Sequence, residues 1–168
     1  ERYAMGEMAK ELGIDYDEEL FQKWSQTKSE AYAQFVSENA EPMPGAVDFV
    51  STVARSFPVG LATGSRRSDV TTALRVLAGG RLEDVFQTIV TSDDVPKPKP
   101  HPATYAKAVE NLGFQPKECV AFEDSPNGIL SAKGAGLRVV GISAMHGADK
   151  LGEADKVVPH LRGASLET

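Results

Sequence analysis

Two adjacent carboxylates, Glu123 and Asp124, directly follow the apolar run 119–122 and precede a Pro-Asn-Gly turn. The run has the composition of a strand, and ligands of an open parallel sheet bind beyond the carboxyl ends of its strands. Neighbouring carboxylates repel each other unless a cation lies between them, and oxygen ligands suit Mg2+. The pair therefore predicts a Mg2+ site at the edge of a sheet, although acidic residues also begin loops and cap helices.

A hydroxyl and a glycine turn end a second apolar run, 59–62, which is followed by Thr63, Gly64 and Ser65. The Thr63 hydroxyl and the backbone N–H groups of Gly64 and Ser65 are suited to holding a phosphate oxygen. A plain strand-to-helix turn uses the same residue types. This stretch therefore indicates phosphate binding only in combination with others.

Two lysines, Lys97 and Lys99, lie in a proline-rich loop that follows Asp93 and Asp94. Prolines fix the backbone and remove hydrogen-bond donors, so that the loop presents its lysines from a stiff support. An ammonium group is a point charge that suits a phosphate or two crowded carboxylates. The alternative interpretation is a solvated basic loop.

In chain order, the candidate site consists of a hydroxyl, a lysine and an acidic pair, each at the end of a predicted strand. This set of groups suits phosphoryl transfer through an aspartyl phosphate, in which charge stabilisation does most of the work. One component is missing, because no apolar strand in the chain ends in a candidate nucleophilic aspartate. Asp15 and Asp17 follow no predicted strand, and we interpret them as part of a helix cap.

Helices alternate with short apolar runs after residue 45, a pattern that predicts βαβ units and a parallel sheet. The predicted strands cover residues 58–62, 86–90, 119–122, 138–142 and 156–158. One predicted helix, about 46–55, precedes the first strand, and those between strands cover about 68–77, 102–111 and 129–135. Before the proline- and glycine-containing linker 41–45, the spacing of apolar residues predicts helices only. We therefore predict an α/β fold, with a Rossmann-like core at 43–168 and a small α-helical unit at 1–42.

Composition narrows the classes of function. The 168 residues are 41% hydrophobic, enough for the core of one domain or of a domain with a small appendage. No apolar run approaches the length of a membrane span, and a net charge of −6 disfavours binding to nucleic-acid backbones. The single cysteine, Cys119, excludes an internal disulfide and fits a reducing compartment. We expect a cytoplasmic protein that binds neither nucleic acid nor membrane; no pattern indicates its oligomeric state.

Three of these stretches together resemble motifs of the haloacid dehalogenase superfamily, in particular of its phosphoglycolate phosphatase and β-phosphoglucomutase branch. Residues 61–65 resemble motif II, residues 99–105 resemble motif III and residues 122–128 resemble motif IV. The motif III pattern is Lys-Pro-x-Pro-x-x-aromatic, and Lys97 also begins a Lys-Pro-x-Pro run. We choose Lys99, because it alone has an aromatic residue, Tyr105, six positions later.

The resemblance implies a role for each matching residue. The family's acidic pair, which is absent from the metal-independent true dehalogenases, binds Mg2+. The implied site consists of Thr63 and Gly64 for the phosphoryl group, Lys99 for its charge, Glu123 and Asp124 for Mg2+, and Ser125 and Asn127 to orient that loop. The resemblance also implies that residues 1–42 are most of a helical cap. Motif I, with its central strand and nucleophilic aspartate, is expected upstream of Glu1.

Our hypothesis is a Mg2+-dependent phosphatase that acts on a small phosphorylated metabolite. A phosphomutase is one alternative, and another is a truncated or inactive relative that binds a phosphoester or a partner. A response-regulator receiver domain uses similar groups, but its acidic residues precede the hydroxyl and the lysine. It also has no helical unit at its N-terminus, so we disfavour it. The identity of the substrate depends on cap residues and is not readable from these motifs.

Overall fold

The computed structural model of the chain describes residues 2–80, residue 82 and residues 84–164. The chain forms two compact units, Glu1–Asn39 and Ala40–Thr168. Within the described ranges, no helix has both the length and the apolar character needed to cross a membrane. The assignment of residues 1–42 as a cap and of 43–168 as a core that lacks its first strand stays a prediction.

The first unit contains two helices, α1 (Arg2–Glu11) and α2 (Glu18–Asn39). Gly13 adopts a left-handed conformation with φ of 68° just after α1, as expected of a glycine that ends a helix. Asp17 caps α2, because its Oδ1 accepts a hydrogen bond of 2.8 Å from the Leu20 N–H. The structure thus confirms the predicted helix cap at Asp17.

The second unit alternates strands and helices. Its described residues form β1 (Gly60–Ala62), β2 (Thr88–Val90), β3 (Val120–Glu123), β4 (Arg138–Ile142) and β5 (Lys156–Val158). The helices are α3 (Ala46–Val53), α4 (Arg67–Val76), α5 (Ala103–Leu112) and α6 (Pro126–Gly134). Short 3-10 turns cover Leu77–Gly80, Ser92–Asp94, Pro116–Glu118 and Ala148–Leu151. Every strand and helix predicted from the sequence after residue 45 is present; β4 and β5 have the predicted ends, and the ends of the other elements differ by up to three residues.

All described strand pairs are parallel, as predicted. β1 pairs with β2 in the register Gly60–Thr88, and this pair forms one sheet. The other sheet has the order β3–β4–β5, with Val120 opposite Arg138 and Val140 opposite Lys156. Because the strands within each sheet run in one direction, β1 and β2 end at one edge, as do β3 and β4.

Helix α3 packs against side chains of both sheets. Its Phe49 is buried, and the Phe49 ring centroid lies 4.9 Å from that of Phe122 on β3. Its Val47 belongs to a buried cluster with Val70 and Leu74, against which Leu61 of β1 also packs. Full burial of an aliphatic or aromatic side chain contributes roughly 1.5–3 kcal/mol. These contacts therefore hold the ends of β1 and β3 in a stable relation to each other.

A further core cluster supports the end of β3. Ile129 of α6 and Val139 of β4 have no exposed surface, and Ala121 of β3 packs among them. Tyr105 of α5 and the partly buried Ala62 of β1 join the same cluster. The residues that follow β1 and β3 therefore project from a closely packed core.

Candidate active site

The structure brings the predicted lysine into direct contact with Glu123 of the predicted acidic pair. Lys99 Nζ lies 2.5 Å from Glu123 Oε1, at the end of β3. The same Nζ donates a hydrogen bond of 3.1 Å to the Ala62 carbonyl oxygen, at the end of β1. Because Thr63 directly follows Ala62, the Lys99 ammonium lies between the two strand ends that carry the other predicted groups.

The two candidate lysines have different surroundings. Lys97 is exposed, whereas the Lys99 side chain is only 14% exposed. Lys99 Nζ also lies 4.6 Å from the centroid of the Tyr105 ring, within the range of a cation–π interaction. Lys99, the lysine with an aromatic residue six positions later, is therefore the one that contacts Glu123.

The Glu123 carboxylate is buried, and both of its oxygens accept hydrogen bonds. In addition to Lys99, Oε1 accepts a hydrogen bond of 2.7 Å from the Tyr105 hydroxyl, and Oε2 accepts one of 3.3 Å from Ser125 Oγ. A buried charge is tolerated when it is paired and hydrogen-bonded in this way. Burial and the nearby Glu123 charge raise the pKa of Tyr105 well above its ordinary value of 10.0, so its hydroxyl stays protonated and donates.

Ser125 and Gly128 shape the space around this carboxylate. Ser125 is the N-cap of α6, and its Oγ accepts a hydrogen bond of 3.1 Å from the Gly128 N–H while donating to Glu123. A Cβ atom added at Gly128 would overlap the Glu123 carboxylate. Gly128 is therefore the residue that lets the carboxylate lie against the first turn of α6. Asn127 is exposed, and its side chain makes no hydrogen bond with another described residue.

Asp124 is the more open carboxylate of the pair. It is partly buried, and its charge adds to the rise in the pKa of Tyr105. The described residues include no group of three or more His, Cys, Asp or Glu side chains that could hold a metal ion. Mg2+ nevertheless often keeps several waters and binds through one or two carboxylates and substrate phosphates. The carboxylates of Asp124 and Glu123 fit the protein's share of such a Mg2+ site.

The turn after β1 is exposed at the position predicted for phosphate. The Thr63 N–H continues the strand ladder by donating to the Val90 carbonyl at 2.9 Å. Gly64 and Ser65 are exposed, and an added Cβ at Gly64 would meet no atom within 4 Å. The structure corrects one detail: the Ser65 N–H donates to Thr63 Oγ1 at 3.1 Å, because a threonine hydroxyl readily accepts from the amide two residues later. The O–H of Thr63 can still donate a hydrogen bond to a ligand, because Oγ1 is the acceptor in this contact.

Sequence reasoning missed two contributions to this arrangement. Tyr105 served only to choose between the lysines, although its hydroxyl holds Glu123. Gly128 was interpreted only as part of a turn. A glycine inside the first turn of a helix, rather than after its end, was the available signal that another group occupies the space of its side chain.

The chain is similar to known proteins in sequence and in fold. A family model described as haloacid dehalogenase-like hydrolase matches residues 3–142. The chain is 39% identical over 104 residues to validoxylamine A 7'-phosphate phosphatase of Streptomyces hygroscopicus subsp. limoneus, covering 62% of this chain and 47% of that protein. It is 31% identical over 143 residues to protein CbbY of Rhodobacter capsulatus, covering 83% of this chain and 63% of that protein. The chain thus spans less than two thirds of the length of both relatives.

Solved structures show the same fold. The β-phosphoglucomutase of Clostridium difficile superposes with a TM-score of 0.80, covering 99% of this chain and 73% of that one. The two sequences are 21% identical, so this likeness concerns the fold alone. It confirms the predicted α/β architecture with parallel strands.

Proposed function

The chain belongs to the haloacid dehalogenase-like hydrolases, and on that premise we propose that it is the greater part of a Mg2+-dependent phosphatase. Its substrate in this proposal is a small phosphorylated metabolite. The observation that carries the proposal is the contact of Lys99 with both Glu123 and the carbonyl of Ala62. A named phosphatase among the relatives supports the same reaction class.

Lys99 is suited to neutralising a phosphoryl group. An ammonium group has three N–H donors, and the Glu123 and Ala62 contacts use two of them. The third donor is available for a phosphoryl oxygen. Because Glu123 and the Tyr105 ring hold the ammonium in place, little reorganisation accompanies the reaction, which is the condition under which a fixed charge lowers a barrier most.

The turn after β1 supplies neutral donors to the same phosphoryl group. The Thr63 hydroxyl and the Gly64 N–H are the two groups that we assign to its oxygens. Thr63 Oγ1 already accepts from the Ser65 N–H, which leaves its proton to point elsewhere. An exposed glycine lets a ligand approach the backbone closely. Together with Lys99, these groups would hold the charge that spreads over the phosphoryl oxygens in the transition state.

Glu123 and Asp124 are the residues that we propose for Mg2+. A bound Mg2+ ion would neutralise phosphoryl oxygens and orient the substrate. Asp124 is the direct ligand in this proposal, because the Glu123 oxygens already accept from Lys99, Tyr105 and Ser125. Glu123 then contributes charge and position, and Ser125 fixes its orientation. Asn127 and the proposed cytoplasmic location stay predictions from the sequence.

The attack on phosphorus requires an aspartate that forms the aspartyl phosphate. We expect it upstream of Glu1, on the strength of the family resemblance. A phosphomutase is the second candidate, because a putative β-phosphoglucomutase of Thermotoga maritima is 29% identical in sequence and superposes over 94% of this chain with a TM-score of 0.71. The two reactions differ in the acceptor of the phosphoryl group, which is water in one and a sugar hydroxyl in the other.

The test is phosphate release by the full-length protein from a panel of phosphomonoesters, with Mg2+ and with a chelator. We expect Mg2+-dependent release that falls at least about 100-fold in Lys99→Met, since loss of one fixed charge-stabilising group typically costs that much. Lys97→Met is the matched control, because it removes the same charge from the exposed position of the same loop. Phosphate binding without turnover would favour the inactive module, and an isomerised phosphoester without release would favour the mutase.

A further inference from the structure

The turn that carries Thr63 and Gly64 is joined by a charged network to a second turn at the same edge of the sheet. That second turn is Ser92–Asp94, which follows β2. Because β1 and β2 are parallel neighbours, the two turns leave their strands side by side. Apart from Ser65, whose N–H binds Thr63 Oγ1, the residues of this network have no role in the site described above.

Backbone groups join the two turns at two points. The Ser65 carbonyl oxygen accepts hydrogen bonds from the Ser92 N–H at 3.0 Å and from Ser92 Oγ at 3.1 Å. Two residues later, the Arg67 N–H donates to Asp93 Oδ2 at 2.9 Å. The segment after Gly64 is therefore held on both sides of Arg66 by the neighbouring turn.

The Arg67 guanidinium makes a third connection. Its Nη2 lies 2.6 Å from Asp94 Oδ2 and 2.9 Å from the Ile89 carbonyl oxygen. The same Oδ2 accepts from the N–H and the hydroxyl of Thr91, at 2.8 Å and 2.7 Å, and Thr91 is completely buried. The hydrogen bonds from Thr91 lower the pKa of Asp94 most, and the hydrogen bond and charge of Arg67 lower it further. The carboxylate of Asp94 therefore stays ionised at neutral pH. Arg67 is thus fixed to a carboxylate that the buried end of β2 positions.

The turn itself has little packing that could fix its shape. Gly64 and Ser65 are exposed, and the space beside Gly64 is open. We infer that Arg67, held by Asp93 and Asp94, is a positioning residue that keeps the phosphate-binding turn in its binding conformation. The inference rests on the proposed function, because it assumes that this turn binds the phosphoryl group.

The direction in which Asp94→Asn changes the affinity for phosphate distinguishes this positioning role from a purely electrostatic effect. If the charges acted only through their fields, Asp94→Asn would remove a negative charge near an anion site and tighten phosphate binding. In the positioning role, the same substitution weakens the contact with Arg67, because an amide oxygen accepts less strongly than a carboxylate, and the turn loosens. Asp94→Asn then weakens phosphate binding, although the protein becomes less negative.

The experiment is calorimetric titration of the full-length protein with inorganic phosphate in the presence of Mg2+. Arg67→Met and Asp94→Asn should each weaken phosphate binding about tenfold, a typical effect of losing one charged hydrogen bond. The double variant should bind phosphate about as weakly as either single variant, because both substitutions disrupt the same contact between Arg67 and Asp94. Arg75→Met is the matched control, because it removes the same charge from the last turn of the same helix, and its affinity should equal that of the wild type.

Thermal unfolding without phosphate, measured in parallel, completes the test. Unchanged or tighter phosphate binding in Asp94→Asn overturns the inference, and so does a lowered unfolding temperature with unchanged affinity. If Arg67→Met does not fold, Arg67→Lys replaces it, because lysine keeps the charge but lacks the planar NH2 group whose donors reach Asp94 and Ile89. A wild-type protein that binds no phosphate would instead refute the proposed function on which the inference rests.

Discussion

Gly128→Ala is the substitution that tests the site geometry most directly. The new methyl group would overlap the Glu123 carboxylate, so this carboxylate has to move. It cannot move without lengthening its contacts with Lys99 and with Tyr105, which measure 2.5 Å and 2.7 Å. Breaking a buried ion pair costs roughly 3–5 kcal/mol, and a hydrogen bond to a charged group contributes about 1.5–3 kcal/mol.

The expected loss follows from these values. Glu123 can swing partly aside, so we expect the free energy of unfolding to fall by about 3 kcal/mol, the lower end of the ion-pair range. For a chain of this size that corresponds to a fall in Tm of roughly 6–12 °C. Because the displaced carboxylate no longer holds Lys99, kcat for phosphate release should fall about 100-fold.

Urea unfolding of the full-length protein measures the first quantity, and two comparisons make the result decisive. Gly134→Ala introduces the same methyl group on the same helix, where the nearest atom is Pro102 Cβ at an ordinary 3.4 Å. It should be neutral or stabilise by up to about 1 kcal/mol. In a Glu123→Ala background, Gly128→Ala should cost almost nothing. A cost of about 3 kcal/mol in that background would refute the overlap as its cause.

Two further predictions concern other contacts. Tyr105→Phe removes the hydroxyl donor to Glu123 and keeps the ring near Lys99, so we expect the free energy of urea unfolding to fall by about 1.5–3 kcal/mol. Tyr32→Phe is the control, because Tyr32 lies on α2 in the other unit. Equal unfolding midpoints for Tyr105→Phe and the wild type would contradict the assignment. Asp155 accepts from Lys133 Nζ and the Val139 N–H, which lower its pKa. Its stabilisation is present above the ordinary pKa of 3.8 and is lost as the pH falls through the lower folded value. The stability gap between wild type and Asp155→Asn should therefore be larger at pH 7 than at pH 3, and a constant gap would argue against it.

The elements were predictable because proline, glycine and apolar runs mark them clearly, whereas their ends depend on local hydrogen bonds. β3 begins at Val120 rather than at the predicted Cys119, because the Cys119 N–H closes the preceding turn on the Pro116 carbonyl. α6 begins at Pro126 rather than near residue 129, because Ser125 caps it and proline suits the first helical position. Hydrophobic periodicity does not show which hydrogen-bond partner each backbone group takes at the end of an element.

The site was partly predictable for similar reasons. Spacing was enough to choose Lys99, and strand alternation places Glu123 on the same face of β3 as the buried Ala121. Spacing does not reveal which donors a buried carboxylate finds. The hydroxyl of Tyr105 and the N–H of Ser65 have partners that only the packed structure brings within reach.

The Lys99–Glu123 pair is better explained by the proposed function than by stability. Both side chains are largely buried, with exposures of 14% and 7%, and removing two charges from water costs several kcal/mol per ion. A well-packed apolar pair of similar volume is often as stable or more stable. Such a pair would leave no fixed positive charge between the end of β1 and the end of β3. A lysine whose third N–H donor is directed by its two other contacts is, by contrast, the arrangement that a phosphoryl-transfer site requires.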